Sequence, residues 1–393
     1  MNIDQKQFSD QLAQLIATPS ISCTNPTLDM GNRQVIDLLA NWLNDYGFKI
    51  DIQVVDEQAN KANLIATLEP QNPTAISGKG LVFAGHADTV PYDTQHWTHD
   101  PFTLNINNDR AYGLGATDMK GFFPTVIAAI QPFLQQPLIA PLVIIATADE
   151  ETSMSGAKSL LKQSVAGAAC AVIGEPTSMQ PIRLHKGMAM ESIKIQGQSG
   201  HSSDPSLGNN ALDAMGDVLS TLTAFRNEMQ QRYHHSGFII PVPTLNLGCI
   251  HGGDNPNRIC GHCELAFDIR PLPGMQLDEL RASIDQQLIH IANDHNIDIQ
   301  RHSLFAGINA FEQNSDSELI RLAEHLTGKT AGSVAFATEA PFLQEMGMDV
   351  VVMGPGSIDQ AHQPNEFIDL STIGASVDVL SHSIEQFCIS EKK

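Results

Sequence analysis

Residues 141–157 read PLVIIATADEETSMSGA, and this stretch decides the fold class of the chain. An apolar run from Pro141 to Ala148 ends directly in three carboxylates, Asp149, Glu150 and Glu151. Adjacent unit charges in a partly desolvated site repel by several kcal/mol at an effective dielectric constant of about 20. The chain must therefore spread these acids apart, protonate one of them, or neutralise them with positive charge.

Short apolar runs of the same type recur along the chain, each followed by a loop rich in Gly, Asp or His. They lie at 80–84, 142–146, 169–173 and 349–353. Such runs predict strands that are covered on both faces. Helical spacing of apolar residues predicts two helices within 7–48 and others near 121–134, 153–164 and 315–327. We therefore expect an α/β domain with a mixed, largely parallel sheet flanked by helices.

A different pattern occupies residues 184–307. Its strands, at 192–196 and 263–270, alternate apolar and polar residues, and long amphipathic helices are predicted near 209–231 and 276–294. The order of strand, helix, strand, strand, helix, strand predicts a small antiparallel α+β layer of ferredoxin-like type, inserted into the α/β domain. The predicted segments are therefore a first part of the α/β domain, the insertion and a second part: 1–183, 184–307 and 308–393.

Composition and charge limit the partners of the protein. The chain has 393 residues, of which 42% are hydrophobic and 17% charged, as in globular proteins with a large core. Its formal net charge of −22 would repel nucleic acid and anionic membranes, so we expect neither as a partner. The N-terminus MNIDQKQFSDQLAQLI lacks the pattern of a secretory signal, and six cysteines do not indicate a disulfide framework. We expect a cytoplasmic protein.

Metal-ligating side chains stand where the predicted strands end. Ligands of open α/β sheets bind beyond the carboxyl ends of the strands, so these residues are expected to converge. Taken singly, each has an ordinary structural explanation, such as a helix cap for an Asp. Together, two histidines and three carboxylates suit Zn²⁺ or Co²⁺, and five ligands favour two ions that share a carboxylate. The set comprises His86, Asp118, Glu151, Glu175 and His362.

The motifs around these residues resemble a known family. The motifs are GHADTVP (85–91), GLGATDMKG (113–121), TADEETSMSGA (147–157), GEPTS (174–178), GQSGHSSDP (197–205) and GPGSIDQAHQPNE (354–366). They resemble the dizinc metallopeptidase-type amidohydrolases, which include aminoacylases, carboxypeptidase G-like enzymes and desuccinylases. The members that deacetylate N-acetylornithine are the most similar in TLNLGCIHGGDNPNRIC (244–260), DIRPLPGM (268–275) and ATEAPF (337–342). The resemblance covers about residues 5–390.

The resemblance implies a cofactor of two Zn²⁺ ions, which Co²⁺ can replace. His86, Asp118 and Glu175 would hold one ion, and Asp118, Glu151 and His362 the other. Asp118 would therefore bridge the two ions.

The resemblance also assigns roles next to the ligands. Glu150 would be the general base that activates water for attack on the acetyl group of N2-acetyl-L-ornithine, in arginine biosynthesis. The Asp88 carboxylate would orient the His86 imidazole. The bond between Asp118 and Met119 would be a cis peptide.

Residues of the insertion and one later acid are implicated in substrate binding. His201 would assist the oxyanion across a homodimer, although without the resemblance a capping loop residue is the simpler interpretation. Asn257 and Arg258 would bind the substrate α-carboxylate, which suits the guanidinium fork. Glu339 either pairs with the δ-ammonium of ornithine or forms a structural salt bridge. The insertion would act as a lid and dimerisation domain.

Other interpretations stay open. Another N-acyl amino acid hydrolase, such as a succinyl-diaminopimelate desuccinylase or an aminoacylase, fits the same motifs. A binding module that kept the fold and lost the metals is also conceivable, but the intact ligand set argues against it. Cys260 and Cys263 have C-x-x-C spacing on a predicted strand, where residues three apart point to opposite faces, so we expect no redox or zinc site there. Asp149 is expected to be a structural acid.

Overall fold

The computed structural model describes residues 4–56, 58–71, 78–161 and 165–389. The chain forms two compact units. The first consists of Met1–Arg183, Gln313–Gly332 and Thr338–Lys393, and the second of Leu184–Glu312 and Ser333–Ala337. The second unit begins where the insertion was expected, but it extends to Glu312 rather than to residue 307 and also includes Ser333–Ala337.

Helices and strands are interspersed along the chain. The helices are α1 (Gln5–Ile16), α2 (Arg33–Asp45), α3 (Phe122–Ile130), α4 (Ser155–Ser159), α5 (Ala211–Arg232), α6 (Leu277–His295), α7 (Glu318–Thr327), α8 (Ala340–Glu345) and α9 (Leu370–Ile384). The strands are β1 (Lys49–Asp56), β2 (Lys61–Leu68), β3 (Leu81–His86), β4 (Asn105–Asn107), β5 (Arg110–Tyr112), β6 (Leu142–Thr147), β7 (Cys170–Ile173), β8 (Ile182–His185), β9 (Met188–Gln196), β10 (Thr244–Gly252), β11 (His262–Arg270), β12 (Asp298–Ile308), β13 (Phe311–Glu312), β14 (Gly332–Val334), β15 (Asp349–Val352) and β16 (Phe367–Asp369).

The main sheet of the first unit confirms the predicted mixed, largely parallel α/β class. Consecutive strands of this sheet lie in the order β1-β2-β6-β3-β7-β15. Strands β6, β3, β7 and β15 are parallel, whereas β1 and β2 are antiparallel to their neighbours. Ala84 of β3 pairs with Ile145 of β6 and Ile173 of β7, so the carboxyl ends of these three strands lie side by side. The residues that follow these strands therefore meet at one edge of the sheet.

Apolar packing explains why these runs form central strands. Every residue of β3, β6 and β7 is buried. Helix α2 packs on β2, and α3 packs against α1 and α9. Such burial stabilises the fold by roughly 1.5–3 kcal/mol for each large apolar side chain.

Helix boundaries differ from the sequence-based predictions where the backbone changes direction. Helix α3 ends at Ile130 and is followed by a 3₁₀ turn that contains Pro132, because proline cannot supply the next helical N–H. Helix α4 covers only Ser155–Ser159, and residues 162–164 of the longer helix that we predicted lie outside the described residues. Helix α7 begins after Ser317, whose hydroxyl accepts the Ile320 N–H, and ends at Gly328, whose φ is +68°.

The second unit has the predicted α+β pattern. Its antiparallel sheet has the order β10-β11-β9-β12. Strand β11 alternates buried and half-buried residues, and α5 and α6 pack together on the sheet. Cys260 and Cys263 are free thiols in the core of this unit, and the Cys260 thiol donates to the His262 carbonyl at 3.0 Å. Within the described part of the chain, no helix combines the length and apolarity needed to cross a membrane.

Candidate metal centre

His86 is the last residue of β3 and is 1% exposed. Its Nδ1 lies 3.0 Å from the Asp88 backbone oxygen and 3.7 Å from the Asp88 carboxylate. A carbonyl can only accept, so Nδ1 donates its proton to it, and Nε2 is the ring nitrogen that remains to bind a cation. The imidazole is therefore oriented by the carbonyl of Asp88 and not, as we expected, by its carboxylate.

The Asp88 carboxylate is used elsewhere, which explains this difference. Its two oxygens accept the backbone N–H groups of Glu150 and Glu151, each at 3.2 Å. The residue thus connects the end of β3 to the turn that follows β6. Burial, with Glu151 nearby, raises the pKa of Asp88 to about 6, and His86 opposes this increase.

Asp149 turns the chain immediately after β6. Its φ is +59°, and its carbonyl accepts the N–H groups of Ser153 and Met154 at 3.0 and 2.7 Å. Its carboxylate accepts from Lys61 Nζ at 2.6 Å and from Ser22 Oγ at 2.7 Å. Burial alone would raise the pKa of Asp149, but the hydrogen bonds from Lys61 and Ser22 hold it below the usual value.

The turn brings Glu150 and Glu151 into one pocket, as the adjacent acids required. A carboxylate oxygen of each lies within 4.8 Å of a His86 nitrogen and of the other. Glu151 also lies 3.1 Å from Nε2 of His362. A continued strand would have sent the two side chains to opposite faces, so the change of direction at Asp149 is what joins them.

The predicted ligands form two overlapping groups. His86, Asp118 and Glu175 offer ligand atoms within 4.8 Å of one another, and so do Asp118, Glu151 and His362. Nε2 of His86 is 3.1 Å from the Asp118 carboxylate. The peptide bond between Asp118 and Met119 is cis, as the resemblance implied. Asp118 belongs to both groups, which is the arrangement expected of a bridging ligand.

The electrostatics of these groups fit divalent cations. Glu175 Oε1 is buried and has no hydrogen-bond partner among the residues that the structure describes. Burial is the main reason why the pKa of Glu150 is raised, and the negative charge of Glu175 adds to it. Burial also raises the pKa of Glu175, and the charge of Asp118 adds to it. Buried carboxylates without partners are unfavourable unless positive charge is close to them. The donor set of nitrogen and oxygen atoms would accept such charge.

The two histidines can provide part of the positive charge that the buried carboxylates require. Burial would lower the pKa of His86, but its hydrogen bond with Asp118 and the charge of Glu150 raise it well above the usual value. The hydrogen bond with Glu151 raises the pKa of His362 to about 9 against the effect of burial. The raised pKa values favour protonated imidazoles beside these carboxylates in the absence of a cation.

His201, Asn257 and Arg258 lie together in the second unit. His201 and Arg258 form an isolated β-bridge, and the Asn257 carbonyl accepts the Ser202 N–H at 3.1 Å. The Arg258 guanidinium pairs with Asp254 at 2.6 Å, and both side chains are more than half exposed. The structure therefore brings the three predicted binding residues of this unit into one exposed loop cluster.

Glu339 precedes α8 and is 2% exposed. Burial raises its pKa to about 7, while a hydrogen bond with Thr147 and the charge of His86 act in the opposite direction. Its Oε1 atom is buried and has no hydrogen-bond partner within the described ranges. Glu339 is therefore close enough to Thr147, His86 and Asp88 to interact with all three.

Sequence reasoning missed two supports of this site. Lys61 joins Asp29 and Asp149, at 2.8 and 2.6 Å, and its side chain is 8% exposed. Glu366 accepts backbone N–H groups from the loop that carries Asp118. Its position four residues after His362, inside the conspicuous motif 354–366, was the available signal.

Comparison with known proteins decides the family. Residues 82–386 match the profile of peptidase family M20/M25/M40. The chain belongs to this peptidase family. The resemblance derived from the motifs is confirmed, and the ligand groups of this M20 protein lie within the matched range.

Relatives of this M20 protein include curated acetylornithine deacetylases. Those of Pectobacterium atrosepticum and Proteus mirabilis are each 46% identical to it. The alignments cover 99% and 100% of this chain, respectively, and 100% of each relative. Their length and identity show that the whole chain, and not an isolated domain, is shared.

Solved structures show the M20 fold. Aminopeptidase PepT from Bacillus cereus has a TM-score of 0.76 at 17% identity, covering 98% of this chain and 99% of its own. The YXEP protein from Bacillus subtilis, described as a dinuclear metal-binding M20 peptidase, has a TM-score of 0.65 at 15% identity. That match covers 97% of this chain and 98% of the other.

Proposed function

We propose that the protein is a metal-dependent amidohydrolase that converts N2-acetyl-L-ornithine and water to L-ornithine and acetate. The observation that carries this proposal is the 46% identity to acetylornithine deacetylases over the full length of the chain. The cluster of histidines and carboxylates supplies the chemistry that this hydrolysis requires.

The two ligand groups would each hold one divalent cation, with Asp118 shared between them. When bound, the cations would polarise the acetyl carbonyl and make an attacking water more acidic. We propose Zn²⁺, with Co²⁺ as a substitute, because both ions accept imidazole and carboxylate ligands.

Glu150 is the proposed general base. It shares a group with His86 and Glu151 but belongs to neither of the groups that contain Asp118, so its carboxylate is free to exchange a proton. Burial and the charge of Glu175 raise its pKa, which favours a residue that must hold a proton between two steps. Glu150 would take this proton from the attacking water and donate it to the departing amine.

Asp88 would position this base. Because its carboxylate accepts the N–H groups of both Glu150 and Glu151, it fixes the turn that aims the base and its neighbouring ligand. Its carbonyl fixes the His86 ring at the same time. One residue thereby aligns groups from two adjacent strand ends.

The second unit is proposed to be a lid and dimerisation domain, and its residues are proposed to bind the substrate. Arg258 and Asn257 would bind the α-carboxylate, with Arg258 exchanging its exposed pair with Asp254 for the substrate. His201 would assist the oxyanion across a homodimer. A cytoplasmic location and a role in arginine biosynthesis stay predictions.

Acetate release from defined substrates tests the proposal. The purified chain is stripped of metal and reconstituted with Zn²⁺ or Co²⁺, and its kcat/KM is measured for N2-acetylornithine, N-acetylmethionine and N-succinyl-diaminopimelate. We expect activity only after reconstitution, with N2-acetylornithine preferred. A preference for the succinyl or the neutral substrate would assign the protein to a desuccinylase or an aminoacylase instead. Failure of the chain to bind metal would refute the mechanism.

A further inference from the structure

Glu366 binds the loop that carries Asp118. Its side chain is 2% exposed. Oε1 accepts the N–H groups of Thr117 and Asp118 at 2.7 and 2.9 Å, and Oε2 accepts the Gly115 N–H at 2.9 Å. The Glu366 carbonyl accepts a fourth N–H, from Gly113, at 3.0 Å. One buried residue therefore accepts four N–H groups between Gly113 and Asp118.

The chemistry of this contact requires a carboxylate. Three N–H donors converge on two oxygens, and a carboxylate has only acceptor sites to offer them. A glutamine has the same length and shape, but its NH₂ group would face at least one of the three donors. A buried donor without an acceptor destabilises the folded protein. Glutamine at this position would therefore push the loop away.

Glu366 is also tied to His362. Three residues separate them, and strand β16, which follows directly, pairs with β5 through Phe367 and Tyr112. Glu366 continues this connection into the loop, where regular pairing has ended. His362 itself has a φ of +59° and a side chain that is 53% exposed, so its position depends on the anchoring of its loop.

We propose that Glu366 is a positioning residue that sets Asp118 relative to His362 and so completes the second cation site. This inference rests on the metal-dependent function proposed above. The first site has His86 and Glu175 on the ends of the paired strands β3 and β7. The second site shares Asp118 with the first but also depends on His362, and these two residues lie on loops that Glu366 joins. Loss of the Glu366 carboxylate should consequently weaken the second site more than the first.

Stepwise Co²⁺ binding tests this proposal on the full chain. The two dissociation constants are measured by chelator competition for the wild type and for Glu366→Gln, Glu366→Asp and Asp369→Asn. For Glu366→Gln we expect the dissociation constant of the second site to rise at least about tenfold and that of the first site less than about threefold. Substitution of a residue that holds a metal ligand in place typically lowers metal affinity by about 10–100-fold. The visible absorption of the Co²⁺-loaded variant should change as well. Glu366→Asp, which keeps the charge, should recover part of the affinity.

Asp369→Asn is the matched control, because its side chain lies in the same segment but accepts from Ser371, away from the Asp118 loop. It should leave both constants unchanged. If both dissociation constants of Glu366→Gln equal those of the wild type, the proposal is overturned. An equal loss at both sites, with a lower Tm of the metal-free protein, would assign Glu366 a general structural role and overturn it too. The metal-binding measurement uses no substrate, so it is independent of the acetate-release assay described above. A wild type that binds two ions but releases no acetate in that assay would refute the proposed function and not the role of Glu366.

Discussion

Replacing Lys61 with methionine should destabilise the first unit and disturb the turn that carries Glu150. Lys61 has a side chain that is 8% exposed, and it lies between Asp29 and Asp149, whose side chains are 18% and 12% exposed. Breaking a buried pair leaves uncompensated charge, which is destabilising by about 3–5 kcal/mol. Because the two acids keep some contact with water, we expect about 3 kcal/mol, the lower end of this range.

Urea unfolding of the metal-free protein, followed by tryptophan fluorescence, measures this change. Both tryptophans, Trp42 and Trp97, belong to the first unit, so the signal reports on that unit. Lys49→Met is the matched control: Lys49 pairs with Glu69, but its side chain is 76% exposed. Removing an exposed pair should change the free energy of unfolding by no more than about 1 kcal/mol.

A double-mutant cycle with Asp149→Asn then identifies the cause. Asparagine tolerates positive φ and still accepts a hydrogen bond, so it should preserve the turn at Asp149. If unpaired charge causes the loss, Lys61→Met with Asp149→Asn should be more stable than Lys61→Met alone, by about 1 kcal/mol or more. An effect of Lys61→Met equal to that of Lys49→Met, or strict additivity in the cycle, would refute the reasoning.

Three further results are expected at the candidate centre. Glu150→Gln should lower kcat by about 10²–10⁴ and leave the metal content unchanged, whereas loss of bound metal would make Glu150 a ligand instead of a base. Glu339→Gln should lower the preference for acetylornithine over N-acetylmethionine by about tenfold, or 1.4 kcal/mol, if Glu339 recognises the ammonium; an unchanged ratio with weaker metal binding would place its role at His86. The folded-state pKa of His362 is raised from 6.5 to about 9, so its bond with Glu151 stabilises the metal-free protein below pH 6.5, and this contribution is lost as pH rises through 9. Metal-free His362→Gln should therefore have a lower Tm than the wild type near pH 6 and the same Tm near pH 10.

Local pattern was sufficient to predict the central strands and to single out the candidate ligands that lie near their ends. A run such as Leu142–Thr147 is apolar because both of its faces are covered, and this property is written in consecutive residues. His86 ends such a strand, and Glu151 and Glu175 lie in the loops after two others, so the order of the sheet explains why they are close together. The inserted layer was predictable for the same reason, since β11 alternates in burial.

The supports of the ligands could not be predicted in this way. Lys61 reaches Asp149 across 88 positions, and Glu366 reaches Asp118 across 248. No periodicity links such partners, because each contact depends on how loops from distant segments fold together. The contact between Asp88 and His86 differs from our prediction for a related reason. The sequence showed that Asp88 is close to His86, but not whether its carbonyl or its carboxylate faces the imidazole.

The three adjacent acids after β6 show how one turn separates chemical roles. A charge of this density could be spread apart, neutralised or protonated, and the structure separates the side chains and pairs two of them with basic groups. The positive φ of Asp149 separates the side chains, and Lys61 neutralises Asp149 itself. Glu151 faces His362 in a ligand group. Glu150 has neither partner, and burial raises its pKa, so it is the acid among the three that is suited to carry a proton. The role of each carboxylate therefore follows from the positively charged partner that it has or lacks. Replacing Lys61 should consequently shift the turn at Asp149 and change the position of Glu150, although Glu150 itself is unchanged.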